Sequence, residues 1–125
     1  MIRFRASVTD VSDEARELVA SGVLILFAEG APPELAEVSV LHRVSVPPSP
    51  QAPPVGARLS IGAFSAPITA VGDYAWRKMG EIGHVVINFN DGAVAPRPGE
   101  ISAASIDLTA LAAALAPGMT IEIEG

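Results

Sequence analysis

The sequence predicts an all-β fold: a small closed or partly open β-barrel of about six to eight short strands with two or three short peripheral helices. Three observations predict it. Apolar and polar residues alternate with a period of two in several short runs, as in Ile2 to Val8 and Met119 to Glu124. Turn residues, above all 11 glycines and 11 prolines, punctuate those runs. Stripes of helical period are few and short.

At 125 residues the chain has room for one core, so it reads as a single domain over 1–125. Half of the residues are hydrophobic but only 5% are aromatic, so that core must be aliphatic. The net charge of −6 excludes the basic footprint that nucleic acid or an anionic membrane requires and leaves a basic protein surface compatible as partner. With no cysteine there is no disulfide, thiolate metal site or cysteine nucleophile. No stretch approaches the ~18 uninterrupted apolar residues of a membrane span. The N-terminal residues read as a strand rather than a signal peptide. A cytoplasmic location without direct membrane insertion is therefore expected.

In the first strand Ile2, Phe4, Ala6 and Val8 alternate with Arg3, Arg5, Ser7 and Thr9. Ser12 can then cap a helix whose first turn carries Asp13 and Glu14, where the dipole favours acids. Val11, Ala15, Leu18 and Val19 form its apolar stripe, and Gly22 closes it. Val23 to Ala28 is a continuous apolar run of strand length. Gly30 to Pro33 is turn chemistry. From Glu37 to Val46, Val38, Val40, Val44 and Val46 alternate with Ser39, Leu41, Arg43 and Ser45, and His42 falls in phase with the valines. Residues 47–54 hold five prolines, a stiff polyproline-like loop; as a linker it would leave two halves too small to fold alone.

Arg58 to Ile61 and Phe64 to Val71 read as strands joined at Gly62, with Pro67 marking an edge or a bulge. Trp76, Met79 and Ile82 lie at helical spacing with Gly83 as a stop, predicting a short helix over Tyr74 to Ile82 in which Trp76 is a packing residue. His84 opens a strand running to Asn90, ended by Asp91-Gly92. A weak strand follows from Glu100 to Ala104. The helix Asp107 to Leu115 is capped by Ser105 or Asp107 and stopped by Pro117-Gly118, and Met119 to Glu124 is the last strand.

The usual motif list returns nothing: no P-loop, no dinucleotide glycine fingerprint and no His-Glu-x-x-His helix. Ser39 or Ser45 could serve a histidine, but no nucleophile-elbow sequence surrounds either. That leaves His42 and His84. By pattern alone, a lone histidine on an apolar face is more often a semi-buried structural residue than a reactive one. If the barrel brings the two together, they could share a metal with a carboxylate such as Glu37 or Glu81, or one could be a covalent nucleophile that the other assists. No ligand pair has diagnostic spacing, and no metal or cofactor is expected. A neutral imidazole can take and release a phosphoryl group near neutral pH. Residue chemistry leaves these readings open.

The segment Leu24-Ile25-Leu26-Phe27-Ala28-Glu29-Gly30-Ala31-Pro32, followed by Val40-Leu41-His42, resembles the glucitol/sorbitol-specific enzyme IIA component of the phosphoenolpyruvate-dependent sugar phosphotransferase system. Ile68-Thr69-Ala70-Val71-Gly72, then Glu81-Ile82-Gly83-His84-Val85, Phe89 and Pro117-Gly118 agree in the same order, so the likeness covers nearly the whole chain. It implies a cytoplasmic phosphocarrier with a small β-barrel. His42 would be phosphorylated by the histidine-containing phosphocarrier protein and pass the group to a cysteine of the IIB component, for delivery to incoming glucitol. His84 would hydrogen-bond the phosphoryl group or orient His42, and Glu29-Gly30 would shape the adjoining loop. One departure is Val44, where members of that family often carry a second histidine.

This reading requires an exposed His42, on an edge strand or at a bulge. Arg43, on the opposite face of the strand, suits partner docking better than phosphate binding. Two other classes compete. A non-catalytic β-barrel binding module predicts a buried or unreactive His42, and a mononuclear metal enzyme using both histidines predicts a third ligand nearby.

Overall fold

The period-two runs of the sequence become strands whose apolar face turns inward. In the structure, a computed structural model describing residues 1–125, β1 (Ile2–Val11) sends Phe4, Ala6 and Val8 into the core. The chain continues through α1 (Asp13–Ala20), β2 (Val23–Ala28), α2 (Pro33–Ala36) and β3 (Val40–Val46). It goes on through β4 (Arg58–Ile61), β5 (Phe64–Val71), α3 (Ala75–Ile82), β6 (Val85–Phe89), β7 (Glu100–Ala103), α4 (Leu108–Ala114) and β8 (Thr120–Glu124). The eight strands close into a barrel in the order β1-β3-β2-β6-β7-β5-β4-β8. Closure removes every free strand edge.

The sheet is mixed: β2 pairs parallel with β3, β6 parallel with β7, and the other pairs are antiparallel. A parallel pair needs a connection that returns along the barrel. Residues 29–39 provide one and 90–99 the other. A cluster of 26 buried residues fills the interior and the seats of the helices, with the aliphatic character expected of the composition.

Three of the helices sit at the two mouths. α1 and α4 pack together at the end where β2 begins and β7 finishes. Ser12 caps α1, its Oγ accepting from the Ala15 N–H at 3.0 Å, and Asp107 caps α4 in the same way at 3.0 Å. α3 links the end of β5 to the start of β6 and therefore lies at the opposite mouth, with Ala75, Trp76 and Met79 buried. The proline-rich loop, leaving β3 for β4, reaches the same mouth. Trp76 Nε1–H donates to the Ser49 carbonyl at 2.7 Å and the Ser49 N–H donates to the Arg3 carbonyl at 2.8 Å, strapping loop, helix and β1 together.

Two local expectations change. The strand expected from Glu37 begins at Val40, because Pro33, with its φ fixed and its N–H absent, opens the single helical turn α2 at its first position. Val44, expected inside with the other valines, is 37% exposed: the β1–β3 register slips between its two last pairs, Ala6 with Val44 and Arg5 with Val46.

The α3 mouth also depends on Gly72. A Cβ there would lie 2.3 Å from the Pro98 carbonyl oxygen and 2.7 Å from that of Arg97. Since the obstacle is backbone, Gly72→Ala is expected to cost about 2–4 kcal/mol. Urea unfolding of the variant, read as a lower midpoint at unchanged slope, checks this.

Candidate functional site

β3 delivers His42 to the α3 mouth. Val40 and His42 both point inward, and the His42 ring is fully buried. On β2, Ala28 pairs with His42, whose carbonyl accepts the Glu29 N–H at 2.9 Å. On β1, Val8 pairs with His42, and the register skips a residue before Asp10, so the bulge falls on the partner strand. Phe4 meets the ring edge-on, with centroids 5.6 Å apart.

Gly83 covers the ring. It closes α3 in the left-handed conformation at φ 65°, and its carbonyl lies 2.8 Å from His42 Nε2. A carbonyl only accepts, so Nε2 carries the ring proton and Nδ1 keeps the lone pair. Nδ1 is buried with no hydrogen-bond partner. A Cβ on Gly83 would sit 2.8 Å from Ala28 Cβ and 3.2 Å from His42 Cε1, so this closeness is possible only with glycine.

Burial is the largest influence on the His42 ring and holds its pKa below the ordinary 6.5; the Gly83 carbonyl and the Glu29 carboxylate pull the other way more weakly. His42 is therefore neutral at physiological pH. Because the folded pKa lies below the unfolded one, the ring's contribution to stability is fully present above pH 6.5 and is lost as pH falls through the folded value. Unfolding free energies measured from neutral pH to about pH 5 should fall by up to about 1.4 kcal/mol per pH unit on account of this ring, and His42→Gln should lack that component.

The expectation of an exposed His42 is thus corrected. A closed barrel offers no edge, the adjacent bulge lies on β1, and the alternation that put His42 in phase with Val40 also put it inside. Arg43 points outward as expected. Its Nε and Nη2 donate to Glu29 Oε1 and Oε2 at 2.8 and 3.2 Å, fastening β3 to the loop after β2. This guanidinium holds the Glu29 carboxyl below the usual carboxylate range.

His84 follows the opposite course. Val85 is inside, so His84 points out, stacked on Phe27 with centroids 4.9 Å apart and with Nδ1 2.9 Å from the Leu26 carbonyl. It makes no hydrogen bond to His42, from which the Gly83 position divides it. Instead it lines a surface cavity of about 430 Å³ with Lys78 and Arg97. Nowhere do three or more His, Asp or Glu side chains gather as metal ligands. Sequence reasoning missed the Gly83 carbonyl and the Phe4 edge as the groups that hold His42. The adjacency of Gly83 and His84 in one block was the only hint of the first.

A family model described as the PTS system glucitol/sorbitol-specific IIA component matches residues 3–123. The glucitol/sorbitol-specific EIIA components of the phosphotransferase system from Shigella flexneri and Escherichia coli (strain K12) are each 29% identical over 121 residues, covering 97% of this chain and 94% of theirs. A crystal structure of a PTS system IIA component from Enterococcus faecalis V583 shares the fold, with a TM-score of 0.74 at 22% identity over 97% of this chain and 99% of that one.

Proposed function

The chain belongs to the glucitol/sorbitol-specific IIA component family of the sugar phosphotransferase system, and from that premise we propose that it takes a phosphoryl group from the histidine-containing phosphocarrier protein on His42. The group then goes to the IIB component for glucitol or sorbitol uptake. Family membership supports the phosphocarrier role itself; donor, acceptor and residue are the proposal. The observation that carries it is the family match across 3–123, within which His42 is a neutral imidazole with an unpartnered nitrogen. The donor works in the cytoplasm, and this reading puts the chain there. No helix is long and apolar enough to cross a membrane.

In the transfer, an imidazole lone pair attacks the phosphorus, a new N–P bond forms, and the donor's N–P bond breaks with its electron pair returning to the donor ring. In the closed arrangement that lone pair is on Nδ1. Nε2 becomes a nucleophile only if the Gly83 bond opens and the proton moves to Nδ1. Nδ1 is buried as well, so on this reading either route requires the elements packed around the ring to shift. We place that movement at α3, which hangs between Gly72 and Gly83 and is held by its buried face and the Trp76–Ser49 hydrogen bond. Docking of the phosphocarrier would displace it.

The burial of His42 favours one other reading, a regulatory or binding module that kept the barrel and lost the relay. Reconstitution decides between them. With phosphoenolpyruvate, the general phosphotransfer enzyme, its phosphocarrier and vesicles bearing the IIB and IIC components, the phosphocarrier reading expects glucitol 6-phosphate to accumulate only when this chain is added. A chain without effect on that flux would support the module.

A further inference from the structure

The cavity beside His84 is separate from the His42 ring, and its chemistry differs. Of the eight Lys and Arg side chains, Lys78 and Arg58 alone lack an ion pair, hydrogen bond or aromatic contact. In a chain of net charge −6 such a cation is conspicuous. Lys78 lines the cavity, its Nζ beside Gly99, where a Cβ would come within 3.3 Å of it. Arg97 lines the cavity too, and its Nη1 reaches Glu100 Oε2 at 3.3 Å. Glu100 is the one carboxylate in the lining; it is nearly buried and also accepts from Asn88 Nδ2 at 2.9 Å. Its charge is thereby engaged, and Lys78 is left uncompensated.

His84 completes the set. The Leu26 carbonyl can only accept, so Nδ1 carries the proton, and stacking on Phe27 fixes the ring plane. Nε2 is left as the free nitrogen of a ring that lines the cavity. It can accept from a P–OH group or, protonated, donate to a phosphate oxygen. A point charge at Lys78, a guanidinium at Arg97 and an oriented imidazole line a space of about 430 Å³, within the lower range of small-ligand sites. Tyr74 at the rim offers a hydroxyl for neutral polar groups.

We infer that this cavity binds a small phosphate monoester, with Lys78 and Arg97 on the phosphate oxygens and His84 Nε2 on the third side. The site does not depend on His42 being a relay residue.

Titration of the unphosphorylated protein with glucitol 6-phosphate, read by the ¹⁵N shifts of the His84 ring, tests it. No phosphoryl donor is present, so failure here and failure of the relay are distinguishable. Saturable shifts with a dissociation constant of about 1 mM or below are expected, against binding at least about tenfold weaker for glucitol and for sulfate at matched ionic strength. Lys78→Gln should weaken binding at least about fivefold. Arg97→Gln should weaken it more, because it also frees the Glu100 carboxylate toward the anion. Both side chains are exposed, so the variants should fold. No shift at about 20 mM ester, equal shifts from glucitol or sulfate, or binding that survives the double substitution would each overturn the inference.

Discussion

His42→Gln should abolish phosphoryl acceptance, with initial rates from the phosphorylated carrier falling at least about 10³-fold, because it removes the proposed covalent acceptor. Glutamine suits the test better than alanine. Its amide can still donate to the Gly83 carbonyl and fills most of the ring's space, whereas alanine would leave a void beside Phe4 and a carbonyl without its partner. Far-UV circular dichroism and thermal unfolding of His42→Gln should stay close to wild type, separating loss of chemistry from loss of fold. His84→Gln should act far more mildly, by less than about tenfold, since His84 bonds Leu26 and stacks on Phe27 rather than touching His42. If His42→Gln accepted the group at an undiminished rate, the assignment of the relay to His42 would fail.

Gly83→Ala should produce the largest loss of stability among single-methyl additions around His42. A left-handed φ of 65° is unfavourable for alanine by about 1 kcal/mol. The added Cβ then meets Ala28 Cβ at 2.8 Å, Ala28 N at 3.2 Å and His42 Cε1 at 3.2 Å, none of them the end of a flexible chain. Together these should destabilise the protein by about 2–4 kcal/mol. The methyl is also a wedge between the α3 terminus and the His42 ring, so the Nε2 bond to the Gly83 carbonyl should lengthen. The His42 ring ¹⁵N shifts in the folded variant should change accordingly. Gly80→Ala in α3 is the control: its Cβ would meet nothing within 4 Å, and it should be neutral or slightly stabilising. Equal effects of the two substitutions would mean that Gly83 does not hold the cover over His42.

The barrel was legible because its interior imposes a period of two on every strand it buries; β1 displays that period up to Val8, where its bulge breaks it, and β8 displays it throughout. α1, α3 and α4 were legible from caps and stops carried by single residues: Ser12, Asp107 and Gly83. Strand order was not, because pairings such as Arg5 with Glu122 or Ile68 with Ala103 join distant residues and leave no local trace. α2 escaped notice because four residues are too few to show a helical period.

His42 teaches something narrower. Its phase with Val40 correctly pointed inward, and the chemical need for an accessible acceptor pointed outward. The resting structure follows the packing. The displacement of α3 proposed above would reconcile the two, by releasing the hydrogen bond, 41 residues apart in sequence, that ties Gly83 to the ring. His84, by contrast, stands next to Gly83 in the chain and yet turns away from the interior that Val85, the first residue of β6, enters, its ring stacked on Phe27.

The most direct test is intact-mass and peptide-mapping spectrometry at neutral to alkaline pH, after incubation with phosphoenolpyruvate, the general phosphotransfer enzyme and its phosphocarrier. The expected result is a gain of one phosphoryl group that is acid-labile, as a phosphoramidate must be, and that maps to the peptide bearing His42. No gain with donors shown to be competent, or a gain mapping to His84, would contradict it.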